Sequence, residues 1–239
     1  MTHNVQAGHG PDDSMKAVPG QLGPMLDALR KQHGAVELPE PRKPFELIVW
    51  ENCAYLVDDE RRSRTFASLR KVIGLAPHKL LGAGAKKIEA AIRDGGMQPP
   101  HRAAKVLRCA EIALEFAGGD LGAALAGLAA KPRRTLLKRF PGIADPGADK
   151  VLLLCGLADA PALDSNGLRV LERLQLVKPG QPYAAAYRVG VAGLVQAGIL
   201  GPQAVEAFGL LRAHGREPCK RTSPLCPACS LRRTCPSAR

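Results

Sequence analysis

The feature that most limits what this chain can fold into is its C-terminus. Four of its seven cysteines fall in the last 21 residues, spaced Cys219-x6-Cys226-x2-Cys229-x5-Cys235. Prolines at 218, 224, 227 and 236 stiffen the loops around them. Thiolates this close together repel one another, and a bound metal offsets that repulsion, so the tail reads as a ligand set. Zinc and an iron–sulfur cluster both accept four cysteines, and ligand count does not separate them. Zinc ribbons commonly repeat two short C-x2-C pairs, whereas here one short pair is flanked by two longer loops. An odd number of cysteines is a poor disulfide framework.

Upstream of the tail the apolar pattern is helical, with no convincing period-two strand and no internal repeat. Residues 1–20 are polar, carry Gly and Pro and read as a tail. A short helix over Pro24–Gly34 turns Met25, Leu26 and Leu29 to one face, and the Pro-rich run Leu38–Pro44 marks a boundary. Phe45–Val57 is apolar nearly all round, the sign of a buried central helix, yet it carries Glu51 and Asn52. Arg61–Ile73 is amphipathic, with Phe66, Leu69, Val72 and Ile73 inward and Arg61, Arg62, Arg64, Arg70 and Lys71 to solvent. Further helices are read at Lys86–Arg93, stopped by Gly95-Gly96, and at Arg102–Phe116, with Met97-Gln98-Pro99-Pro100 a stiff loop between them. Leu121–Ala129, Thr135–Phe140, Tyr183–Ala197 and Gln203–His214 complete an all-α chain of about ten helices.

Charge narrows the partner. Lys and Arg number 34 against 22 Asp and Glu, a formal net charge of +12, which favours a polyanion, nucleic acid first. An anionic membrane surface fits the charge too, but no stretch approaches the roughly 18–20 apolar residues of a spanning helix. No signal peptide opens the sequence, so the expectation is a monomeric cytoplasmic protein, nucleoid-associated.

Chemistry concentrates between Phe140 and Leu174. Pro141-Gly142-Ile143-Ala144-Asp145 is a tight turn; its glycine permits a close approach, and the helix start after it offers free N–H groups to a phosphate oxygen. Asp164, followed by Ser165 and Asn166, stands at the mouth of the next helix. Taken alone it reads as an N-cap.

These motifs, in this order, resemble the endonuclease III family of helix-hairpin-helix DNA glycosylases. The cysteine spacing is similar to that family's [4Fe-4S] signature. Phe140-Pro141-Gly142-Ile143-Ala144 resembles its hairpin, L-P-G-V-G-x-x-T-A. The segment from Leu163 through Asp164 to Arg173 resembles V-D-T-H-x-x-R-V-x-N-R, which carries the family's catalytic aspartate, and its P-F-E-L stands unchanged at Pro44–Leu47. The resemblance covers roughly Gln21 to Cys235 and overrides the cap-only reading of Asp164.

It implies two helical lobes with a DNA cleft between them: a helical bundle with the hairpin over 37–158, and a [4Fe-4S] cluster domain from 21–36 and 159–239. Cys219, Cys226, Cys229 and Cys235 would ligate the cluster. The implied activity is excision of a damaged or mismatched base from double-stranded DNA. Such chemistry cannot act on a stacked base, so the nucleotide is flipped out. Leu56 would fill the gap, with Met97 or Gln98 as the opposing wedge. Gly142, Ala144 and Gly147 would hold a phosphate, with a monovalent cation on the hairpin carbonyls as in relatives, and Lys220 and Arg221 would add phosphate contacts.

Departures from the pattern shape the mechanism. In bifunctional members a lysine nucleophile follows the hairpin proline by five positions; here that place holds Pro146, which has no amine for a Schiff base. Lys150, one turn further on, reads as a surface or phosphate-facing lysine. Glu51, seven residues after Pro44, matches the catalytic glutamate of the adenine glycosylase branch, although that branch's Gln-rich segment is replaced by Tyr55-Leu56-Val57. The expectation is a monofunctional glycosylase. In it Asp164 stabilises an oxocarbenium ion and orients water, while Glu51, its pKa raised in an apolar helix, protonates the base or positions water. Competing expectations are a glycosylase and AP lyase using Lys150 or another amine, and a non-catalytic scaffold that binds damaged DNA.

Overall fold

Apolar stripes at helical spacing become eleven α-helices in the computed structural model, which describes residues 19–238. They are α1 (Pro19–His33), α2 (Pro44–Asn52), α3 (Asp59–Val72), α4 (Pro77–Ala91), α5 (Pro99–Ala117), α6 (Leu121–Ala126), α7 (Ala130–Leu137), α8 (Asp145–Leu154), α9 (Ser165–Arg173), α10 (Tyr183–Gln196) and α11 (Gly201–Arg216), with a 3-10 turn at Cys226–Ala228. Among the described residues there is no strand, and one isolated parallel bridge joins Tyr55 to Gly96. The all-α reading holds. Most of the expected tail lies outside the described residues, but Pro19 and Gly20 are already helical. α1 tolerates Pro24 in its interior because Leu22, Met25, Leu26 and Leu29 are all buried, and that burial outweighs the roughly 3 kcal/mol of an interior proline.

The chain divides into two compact units. The inner unit is Glu37–Ala162 with Gly201–Val205; the terminal unit takes Leu163–Leu200 together with the chain on either side, up to Val36 and from Glu206 on. In the terminal unit, Leu29 of α1, Leu168, Val170 and Leu171 of α9, Leu194 of α10 and Phe208 and Leu211 of α11 form the core. In the inner unit, α4 and α5 pack through Leu80, Ile88, Val106, Ala110 and Ile112.

α2 is the hub of the inner unit, in contact with α3, α5, α6 and α8. Pro44 sits in its first turn, where a missing N–H costs nothing, and Phe45 through Trp50, apart from Glu46, are buried. It stops at Asn52, five residues before the expected Val57, so Glu51 and Asn52 lie in its last turn and not mid-helix. The reason is a guanidinium. Arg62 donates to the carbonyls of Trp50, Glu51 and Ala54 while lying over the Trp50 ring, satisfying the acceptors a helix end leaves open. Arg62 is therefore no solvent-facing charge.

A buried arginine organises the loops beyond α2 and α4. Arg102 sits on the apolar face of α5, in register with Val106, Cys109 and Ala113, and donates to the carbonyls of Cys53, Ile92, Arg93, Gly96 and Met97. Replacing Arg102 with Met would strand those buried acceptors. We expect a loss of about 2–4 kcal/mol, read from denaturant midpoints at unchanged m-value.

Candidate functional site

The hairpin is built by α7, the turn at Pro141–Ala144 and α8. Gly142 has φ +75°, a left-handed turn conformation that glycine adopts without strain, and a Cβ there would come within 3.2 Å of Asn52 Oδ1. Asn52 donates through Nδ2 to Pro141 O (3.0 Å) and Ile48 O (3.0 Å), stitching the hairpin to α2. The amide that looked anomalous in an apolar helix is a structural bond. Pro146 occupies the first turn of α8, where its missing backbone N–H costs no helical hydrogen bond. Gly142 and Ala144 are exposed and Gly147 is half-buried.

Glu51 and Lys150 meet beside this hairpin. Lys150 Nζ is 2.7 Å from Glu51 Oε1, with only 14% and 24% of the two side chains exposed. Lys150 is therefore not the surface lysine expected, and Glu51 is one half of an ion pair. A carboxylate at a helix C-terminus opposes the helix dipole, and the ammonium offsets it.

Two loops of the inner unit carry the expected wedges. Tyr55 N donates to Gly95 O at 2.8 Å, and the parallel bridge to Gly96 holds the segments side by side. Leu56 (φ +55°) and Gln98 (φ +54°) are both held in the left-handed region, which non-glycine residues seldom occupy without a compensating structure. Leu56 is 70% exposed, and Tyr55 and Met97 are exposed as well, a cluster of apolar side chains on an otherwise basic chain.

Asp164 belongs to the terminal unit, where it caps α9. Oδ1 accepts from Asn166 N (2.9 Å) and Gly167 N (2.8 Å); Oδ2 accepts from Asn166 Nδ2 (3.1 Å) and lies 3.2 Å from Arg212 Nε of α11. Arg169 Nη2 donates to Asn166 Oδ1 at 3.0 Å, which turns the amide so that its NH2 faces the aspartate. The carboxylate is thus fixed in orientation while 20% of its side chain stays exposed. Cap and open anion coexist in one residue.

The four tail cysteines line one cavity with Arg173, Pro218 and Arg232. Arg173 donates to Cys219 Sγ at 3.1 Å and to the carbonyls of Cys219, Lys220 and Arg221. His214 Nε2 lies 3.4 Å from Cys229 Sγ, and its Nδ1 is 3.1 Å from His33 Nε2. Burial pushes the His214 imidazole down to about 4. Four sulfurs around one cavity, with Arg173 donating to one of them, fit a group ligated by thiolates. Among the described residues, no set of three or more His, Cys, Asp or Glu gathers round a point suited to a single metal ion. Lys220 and Arg221 are exposed on the loop between the first two cysteines.

No family model matches the chain. Endonuclease III of Sulfolobus acidocaldarius is 26% identical over 171 residues, 71% of each chain. A non-covalent endonuclease III–DNA complex superposes with a TM-score of 0.74 at 19% identity, over 92% of this chain and 96% of that one. The chain is thus similar to endonuclease III in sequence over most of its length and shares its fold. A thermostable thymine-DNA glycosylase shares the fold at TM-score 0.73 and 16% identity, covering 95% and 99% of the two chains.

Several side-chain partners show only in three dimensions. Arg102 left one signal, a charge at an apolar position of α5; Arg62, Arg212 and His214 left none, because an arginine or histidine on an amphipathic helix reads first as solvated. The loop pairing makes a direct prediction. A Cβ on Gly96, whose φ is +96°, would sit 2.2 Å from Tyr55 O, so Gly96→Ala must part the two loops. We expect about 2–3 kcal/mol of destabilisation and faster amide exchange at Tyr55.

Proposed function

We propose that this protein is a monofunctional DNA glycosylase of base-excision repair, releasing a damaged or mismatched base from double-stranded DNA with Asp164 as the catalytic anion. The observation that carries this reading is the Asp164 carboxylate: fixed by four donors, partly exposed, and set in the segment that resembles the family's catalytic one. Cleavage of the C1′–N bond builds positive charge on the sugar, and a preorganised anion stabilises that charge without moving. With donors on both oxygens, Asp164 acts as a fixed charge that also orients water. Glu51, bonded to an ammonium, acts as an acceptor that positions water, so of the two roles expected for it this one is favoured.

The exposed Leu56, with Met97 and Gln98 on the neighbouring loop, supports a flipping step in which apolar side chains fill the vacated stack. Gly142, Ala144 and Gly147 would contact phosphate, a monovalent cation would use the hairpin carbonyls, and Lys220 and Arg221 would add salt-sensitive contacts. Cys219, Cys226, Cys229 and Cys235 would hold a [4Fe-4S] cluster, which serves to fix the C-terminal fold and its DNA-facing loop. Anaerobically purified protein should be brown and contain about four iron atoms per chain; colourless protein with stoichiometric zinc would replace the cluster assignment.

Asp164→Asn is the decisive variant. On a panel of duplexes with one lesion or mismatch each, the wild type should release one free base, and the variant should lose at least about a hundredfold in single-turnover rate while keeping its affinity for an abasic-site analogue. Unchanged base release would remove the catalytic role, and wild type that binds duplex yet excises nothing would leave the damaged-DNA-binding scaffold. A lyase reading has one observation in its favour: the Lys150 amine is half-buried next to a carboxylate able to take its proton. Borohydride trapping of a DNA adduct by wild type but not by Lys150→Ala would establish it.

A further inference from the structure

The hairpin carries a charge arrangement that the glycosylase reading does not use. Arg134 on α7 and Lys138 at its C-terminal end lie one helical turn apart and both reach Asp145, the first residue of α8. Lys138 Nζ is 3.0 Å and Arg134 Nη2 3.4 Å from the same oxygen, Asp145 Oδ1. Asp149 holds Arg134 from the other side, at 2.7 Å through Nε and 3.1 Å through Nη2. Two cations and two carboxylates leave the quartet neutral.

The two carboxylates are not equivalent. Asp149 is only 14% exposed and grips Arg134 through two contacts, whereas Asp145 is 51% exposed and offers one oxygen to both cations. Ion pairs as exposed as the Asp145 contacts contribute about 0–1 kcal/mol, so they exchange readily. We propose that Arg134 and Lys138 form a binding site for a phosphodiester of the DNA backbone, and that Asp145 occupies this site in the free protein as an internal stand-in for the phosphate. This inference rests on the DNA-binding reading above and adds to it two contacts and a competitor.

A non-bridging phosphate oxygen can take the place of Asp145 Oδ1 between the two cations, and seating it requires the carboxylate to turn away. Asp149 keeps Arg134 in place during that exchange, so Lys138 is the partner that changes hands. The consequence is a charge filter. With Asp145 in position this quartet adds no net charge to the hairpin, and its two cations become available only when the backbone is close enough to displace the carboxylate.

The experiment is fluorescence anisotropy with a duplex carrying a tetrahydrofuran abasic-site analogue, over a series of salt concentrations. Asp145→Asn keeps the side-chain shape and removes the charge. It should bind about five- to tenfold more tightly near 0.1 M salt and steepen the slope of log K against log salt by about 0.9, the increment for one further counterion released. Adding Lys138→Ala to Asp145→Asn should return both quantities to wild-type values. Unchanged or weaker binding by Asp145→Asn, with wild type binding normally, overturns this inference alone; wild type that binds no duplex overturns the DNA reading beneath it.

Discussion

A single buried guanidinium holds the inner unit's working edge in shape. Arg102 reaches carbonyls on both sides of the Tyr55–Gly96 contact, from Cys53 at the end of one loop to Met97 in the other. Backbone carbonyls at helix ends are strong acceptors with no partner of their own, and a charged donor with five N–H groups can serve several of them together. Arg62 does the same for the last turn of α2. With these two side chains in place, the loops can keep Leu56 and Gln98 in conformations that would relax in a free chain. Packing supplies the helices, but two arginines decide where α2 stops and what its following loop presents.

Electrostatic pairing recurs wherever chemistry is proposed. Glu51 meets Lys150, Asp164 meets Arg212, and Asp145 meets Lys138 and Arg134. On a chain with a formal charge of +12, such pairing keeps carboxylates in defined positions without adding to the net attraction for a polyanion. It also separates fixed anions from proton carriers. A carboxylate with donors on both oxygens, such as Asp164, is suited to stabilising charge, and one with an ammonium beside it, such as Glu51, is suited to accepting.

The fold class and the likeness to endonuclease III are legible in the sequence because helical periodicity, the four-cysteine spacing and the P-F-E-L start are local signals. Helix boundaries are less so. The apolar run continues past Asn52 and predicts a helix to Val57, while the feature that ends α2, Arg62, lies on the next helix and shows only in three dimensions. The helix expected at Lys86–Arg93 is the second half of α4, which begins at Pro77 and breaks at Gly84, where φ is +72°; the first half, from Pro77, has no counterpart in the sequence reading. The partners of the candidate carboxylates were invisible for the same reason. Lys150 is 99 positions from Glu51 and Arg212 is 48 from Asp164, and no spacing rule ties residues so far apart.

The odd cysteine count has an outcome in the three thiols outside the tail. Cys53, Cys109 and Cys155 carry no disulfide, and burial pushes each of them up to about 12. A thiol held protonated in the folded state is a sluggish nucleophile and a poor metal ligand. Burial thus keeps these three thiols protonated and weakly nucleophilic in the folded protein, unlike a thiolate ready to ligate or to exchange.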